Sequence, residues 1–176
     1  MLSANEILQK LDSLLSKDNY TAAKQHLLSV LCEAEKAGND KILLLVYNEL
    51  MGLCRKLGQK DEALQYVQKA LGRITKMGIE ENIGAATTYL NSATVYKAFG
   101  MAEKSMPLFE QAEKIYNKNL SPTDTRFGGL YNNMGLALGD LKRFGEAEFY
   151  YEKAIWVMRQ NSGKEPEQAI TYLNLA

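Results

Sequence analysis

The chain has no surplus of either charge: its 176 residues carry 21 Lys and Arg against 21 Asp and Glu. Nucleic acid and anionic membrane surfaces both call for a basic excess, so neither is an expected partner. Long apolar runs are missing too. The longest, Ile42 to Tyr47, falls far short of the ~20 residues that a membrane helix needs. Histidine is represented by His26 alone, and Cys32 and Cys54 form no metal-ligand spacing with it. No phosphate-binding loop, nucleophile elbow or pair of catalytic carboxylates occurs, so an enzyme, a cofactor and a metal are all unexpected. The start, Met1-Leu2-Ser3-Ala4-Asn5-Glu6, lacks the basic opening of a secretory leader. The expectation is a cytoplasmic protein in which Cys32 and Cys54 are buried free thiols, while His26, beside Gln25, is exposed.

What is present is a repeat. Tyr47, Tyr89, Tyr131 and Tyr172 are separated by 42, 42 and 41 residues. Ala70, Ala112 and Ala154 keep the same step, as do the small residues Ala63, Ser105 and Ala147 and the larger Val67, Phe109 and Tyr151. Fixed-period columns of this kind mark a stack of supersecondary units. Within one period the apolar residues trace two helices. Phe127, Leu130, Tyr131, Met134, Leu138 and Leu141 form one stripe of a 3.6-residue helix. Lys142-Arg143 interrupts, and Phe144, Ala147, Tyr151, Ala154, Ile155 and Met158 form the next stripe, closed by the turn at Asn161-Ser162-Gly163. Earlier units predict helices over Lys41 to Leu57, Asp61 to Lys76, Asn82 to Phe99 and Ala102 to Asn117, with Gly58 and Gly100 in the turns. Units are placed at 2–38, 41–78, 82–119, 124–162 and 166–176, the last a partial one opening at Pro166, all in a single domain over 1–176. Turns inside a pair are expected to be shorter than the links between pairs. Pro107, early in a helix, is expected to bend its first turns.

The residues that carry these columns resemble the tetratricopeptide repeat. Gly135 four residues after Tyr131, the small Ala147 and Ala154, and Tyr151 between them match its pattern, and the stretches 130–135 and 144–155 look like the 42-residue variety of kinesin light chains. Met51 and Ala93 depart from the usual glycine, and Ser105 from an alanine. The resemblance implies an all-α, right-handed superhelical solenoid of antiparallel helix pairs. Eight residues beyond the ordinary repeat imply about one extra turn per helix.

Function has to be sought on the face that packing leaves over. On the helix holding Tyr131, Gly129, Asn133, Leu136 and Asp140 lie opposite the apolar stripe. Their counterparts are Thr87, Asn91, Thr94 and Ala98, then Leu45, Glu49, Gly52 and Lys56, with Ile170 and Asn174 opening the last unit. Asparagine, threonine and glycine here contrast with the Lys- and Glu-rich second helices. An asparagine offers both a donor and an acceptor, so the column Asn91, Asn133 and Asn174 can bond an extended peptide backbone. It can equally bond between adjacent helices and stiffen the stack, and both readings stand. The resemblance implies that this face lines a peptide-holding groove. The candidate groove residues are Asn48, Glu49, Arg55, Thr87, Asn91, Thr94, Lys97, Asn132, Asn133, Asp140 and Asn174. Its basic members sit toward the middle and lean slightly to an acidic ligand.

The expected partner is a protein or peptide held in the groove. Two rivals remain: a receptor for a signalling peptide whose effector domain lies elsewhere, and a homo-oligomeric scaffold. Trp156 is expected to pack partly against a following unit. Because the last unit has only its first helix, either further chain beyond Ala176 or a second copy is expected to cover that end.

Overall fold

The computed structural model of the protein describes residues 3–161. The partial fifth unit, with Pro166, Ile170, Tyr172 and Asn174, lies outside the described residues, as does the turn at Gly163. Eight helices follow one another: α1 Ala4–Leu15, α2 Tyr20–Ala37, α3 Asp40–Lys56, α4 Lys60–Met77, α5 Ile83–Ala98, α6 Ala102–Asn119, α7 Arg126–Asp140 and α8 Phe144–Gln160. No strand occurs among the described residues. The expected helix boundaries in the second and third units hold to within two residues.

The chain forms two compact units, divided between Ile79 and Glu80. In the N-terminal unit α1 packs on α2, α2 on α3 and α3 on α4; in the C-terminal unit α5 packs on α6, α6 on α7 and α7 on α8, with α5 also touching α7.

Local chemistry sets where the helices begin and end. Ser3 and Glu6 form a reciprocal cap at the start of α1, and the side chains of Asn19, Asn39 and Asn82 accept the exposed backbone N–H groups of Ala22, Ile42 and Ala85. Gly38 and Gly78 end α2 and α4 at φ 62°, a left-handed conformation open to glycine at no steric cost. The turns inside pairs share a column of positive φ: Gly58 at 70°, Gly100 at 73° and then Lys142 at 59°. The first and last pairs thus hold a side-chain-bearing residue, Asp18 at φ 52° and Lys142, where the two middle pairs use glycine.

One link contradicts the expected length rule. Residues 38–39 join α2 to α3, fewer than the 16–19 turn inside the first pair. Gly38 stops α2, and Asn39 at once caps α3, so no further residue is needed.

The repeat columns are the core. Tyr47, Tyr89 and Tyr131, Ala63, Ser105 and Ala147, Ala70, Ala112 and Ala154, and Val67, Phe109 and Tyr151 are all buried. Ser105 fits an alanine position because its hydroxyl donates to the Ala102 carbonyl at 2.7 Å, leaving no orphaned polar group. Gly135 explains its own identity: a Cβ there would lie 2.5 Å from the Tyr151 ring.

Two further expectations are overturned. His26 is buried, at 8% exposure, with Nε2 3.2 Å from the Ile7 carbonyl. It shares the α2 stripe of Ala23, Leu27 and Val30, at spacings of three and four, so α1 covers it. Cys32 is exposed and only Cys54 is buried. Cys32 falls off the stripe that α2 buries.

Replacing Gly135 with alanine is expected to cost about 1–3 kcal/mol by overpacking. Gly129→Ala on the same helix, where a Cβ meets nothing within 4 Å, is expected to gain roughly 0.5–1 kcal/mol of helix propensity. Urea denaturation of the two variants checks both; equal shifts would contradict the crossing. Lys142→Gly is expected to stabilise by roughly 0.5–1 kcal/mol, since relieved left-handed strain exceeds glycine's entropy cost. A fall in the urea midpoint would contradict that.

Candidate functional site

The described residues expected on the polar face lie on α3, α5 and α7. In the N-terminal unit α1 and α3 flank a cavity of about 410 Å³ floored by Leu11, Leu15 and Leu53 and edged by Glu49, Gly52, Arg55 and Lys56. Glu49 and Arg55 are therefore brought together, while Asn48 turns its amide back to the Leu44 carbonyl at 2.9 Å. Burial raises the Glu49 carboxyl above the usual carboxylate range, and the negative charge of Asp12 raises it further. The basic rim is partly committed: the Lys56 ammonium sits 4.7 Å over the Tyr20 ring and hydrogen-bonds its phenol. Arg55 is exposed and forms no ion pair among the described residues.

In the C-terminal unit the polar face is built by α5 and α7. Thr87 and Thr94 donate their hydroxyls to the Ile83 and Leu90 carbonyls at 3.3 and 2.8 Å, and Thr87 also hydrogen-bonds Tyr116 of α6. Asn133 donates one amide proton to the Gly129 carbonyl at 2.8 Å. That leaves its second N–H and its carbonyl oxygen on the surface. Asn91 and Asn132 are half-buried and engage neighbouring groups. Lys97 is half-buried in the last turn of α5, and Asp140 is exposed at the end of α7. Asn174 lies outside the described residues. The hydroxyl protons of Thr87 and Thr94 are drawn back to their own helix, which leaves those positions as acceptors.

A second surface was not anticipated. On the second-helix side of the C-terminal unit a cavity of about 360 Å³ is floored by Phe127 and Tyr131 and walled by Pro122, Phe149 and Trp156. Rings pack through this region: Tyr116 meets Phe127 edge-on at 5.7 Å, Phe127 stacks on Tyr131 at 5.4 Å and Tyr131 meets Tyr150 at a tilt at 5.8 Å. The Lys153 ammonium lies 3.9 Å over the Tyr131 ring and 2.8 Å from the Glu113 carboxylate. This arrangement belongs to the repeat, because Tyr47, Tyr66 and Lys69 stand two periods earlier and make the same ring pair, at 6.2 Å, with the lysine above it. Tyr131 hydrogen-bonds Lys153 and Glu113, which gives its phenol the polar outlet a buried tyrosine needs. Comparing Phe149 with Pro107 and Gln65, and Trp156 with Lys114 and Gly72, in their columns would have exposed this surface from sequence alone.

No helix of the described residues is long and apolar enough to cross a membrane.

Family models described as "Tetratricopeptide repeat" match residues 43–118 and 129–155, which together exceed half of the chain. No curated protein matches the sequence. Among solved structures, the chain is similar to BtubC (BKLC) from P. vanneervenii, with a TM-score of 0.85 at 22% identity over 97% of this chain and 69% of that one. At that identity the likeness speaks to fold, an all-α solenoid of antiparallel helix pairs.

Because burial raises the folded-state pKa of Glu49 above its unfolded value, the folded protein binds that proton more tightly. The group's contribution to stability is full below the ordinary glutamate range and is lost as pH rises through the raised pKa. Glu49→Gln, which stays neutral, is expected to melt higher than the parent at neutral pH, with the gap closing in acid. Differential scanning calorimetry across pH measures it, and a gap that widens in acid would contradict the assignment.

Proposed function

The chain belongs to the tetratricopeptide-repeat family, and on that premise we propose that it holds an extended segment of a partner protein against the first-helix face of its C-terminal unit. Its repeats make it a scaffold for protein–protein interaction; the position and chemistry of the grip are the proposal. The observation that carries it is Asn133. This side chain is held by its bond to Gly129 yet keeps an acceptor and a donor on the surface, on a helix that touches the one bearing Asn91. A fixed amide loses little freedom on binding, and its two remaining groups match one peptide unit whatever the side chains are. Thr87 and Thr94, with their hydroxyl protons committed inward, add acceptors along the same helix. The scarcity of charge on this face fits a ligand gripped through its backbone.

Peptide-display selection against the whole chain supplies a ligand, and titration calorimetry then compares the parent with the Asn91→Ala/Asn133→Ala double variant. Two amide contacts at about 0.5–1.5 kcal/mol each predict a loss of about 1–3 kcal/mol in affinity, with helical content unchanged. Unaltered affinity together with a lower melting temperature would assign the asparagines to stiffening the stack instead.

A further inference from the structure

The outer face of α8 carries aromatic residues that the repeat does not require. Phe149 is 55% exposed and Trp156 48% exposed. One period earlier their positions hold Pro107 and Lys114, and two periods earlier Gln65 and Gly72, all exposed. The α6 positions are the informative ones. A following helix, α7, packs on α6, yet Pro107 and Lys114 remain open to solvent. Stacking of one pair on the next therefore leaves this column uncovered, and Phe149 and Trp156 are not explained as an interface awaiting another repeat.

Between them on the same face stands Glu152, three residues after Phe149 and four before Trp156. Phe149, Glu152 and Trp156 thus form an aromatic–acid–aromatic stripe extending about 10 Å along the helix axis. Glu152 makes no ion pair among the described residues, and neither does the neighbouring Glu148; both are exposed. The cations around the stripe are largely committed. Among the described residues Lys153 pairs with Glu113, Arg143 with Glu146 and Lys118 with Glu81, Arg159 engages a neighbouring group, and Lys114 on α6 forms no ion pair. With Lys153 paired to Glu113, Glu152 is the charged group lining the aromatic cavity that has no ion-pair partner among the described residues.

The same helix shows what such a set of groups does. Lys153 is held by a carboxylate at 2.8 Å and by the Tyr131, Tyr150 and Phe149 rings at 3.9, 5.1 and 5.5 Å. One residue away, the outer stripe offers the Glu152 carboxylate and the Trp156 indole, neither of which holds a cation among the described residues. We propose that this stripe docks a basic segment of a partner protein, taking an arginine side chain with its guanidinium stacked on Trp156 and paired with Glu152. Arginine suits the site because its planar cation is weakly hydrated and stacks on indole while donating to a carboxylate at its edge. The stripe lies on α8, a different helix from those that carry Asn91 and Asn133.

Trp156 is the only tryptophan of the chain, so its emission reports on the site directly. The whole chain is titrated with acetylated nona-arginine amide, with nona-glutamate as the opposite-charge probe. The expected result is a saturable change in Trp156 emission with nona-arginine alone, weakened by added salt. Glu152→Gln, an exposed substitution that leaves the core untouched, and Phe149→Ala are each expected to weaken binding about fivefold. Glu103→Gln, which removes an exposed acid from α6, and the Asn91→Ala/Asn133→Ala variant are expected to leave it unchanged. Loss with Glu103→Gln as large as with Glu152→Gln would reduce the effect to general charge attraction and overturn the proposal. So would equal binding of nona-glutamate, or an emission that does not respond.

Discussion

Two helices can lie close along their length only where the side chains between them are small, and pairs can stack only if that closeness recurs at a fixed spacing. In this protein the condition is met by Ala63 and Ala70, Ser105 and Ala112, and Ala147 and Ala154, all buried. Everything else is arranged around these crossings. Tyr47, Tyr89 and Tyr131 are drawn into the core beside them, and their phenols must then find polar company at its edge. Lys153 and Glu113 supply that company for Tyr131, and burial still pushes its phenol up. The rings and the ammonium above them are thus a consequence of close helix approach.

The same constraint accounts for the departures from the repeat pattern. Where one column shrinks, its neighbour grows: Met51 accompanies Val67, Ala93 accompanies Phe109, and Gly135 accompanies Tyr151. The Gly135 backbone lies against the Tyr151 ring, so the glycine and the tyrosine are a single packing decision. A column that looks irregular by residue type is regular by volume, as a close-packed interior requires.

Most of the helical frame was legible because it is encoded twice, once in apolar periodicity and once in the 42-residue columns. Asparagine caps and glycine turns fixed the ends of helices for reasons readable one residue at a time. What escaped the sequence were features decided by tertiary contact. His26 looked like a surface residue beside Gln25, although its spacing from Ala23 and Val30 placed it on the covered stripe. Lys142 looked like a simple interruption, but the turn geometry it shares with Gly58 and Gly100 forces it to a left-handed φ. The candidate groove residues could be assigned to one face of the first helices by their angle on a wheel, whereas the direction of each hydrogen bond could not. That Asn48 and Asn133 donate to the carbonyls of Leu44 and Gly129 depends on the rotamer each finds in place.

Positions that packing does not dictate are where partner choice can be written, and the two faces of the C-terminal unit use that freedom differently. On the first helices the free column is polar and nearly uncharged, and the Thr87 and Thr94 hydroxyls are turned inward, a chemistry that would suit an extended backbone more than any one side chain. On the second helices the free column changes from Gln65 and Gly72 to Pro107 and Lys114, and then to Phe149 and Trp156. A column under packing constraint could not vary in this way. Large aromatic residues left in water cost free energy, since fully burying one gains roughly 1.5–3 kcal/mol. Their placement around a cavity, with an uncommitted carboxylate between them, turns that cost into binding energy once a complementary cation with an apolar stem arrives. A backbone-reading face and a side-chain-reading face on one small unit would let a partner be held along its length by one and identified by the other.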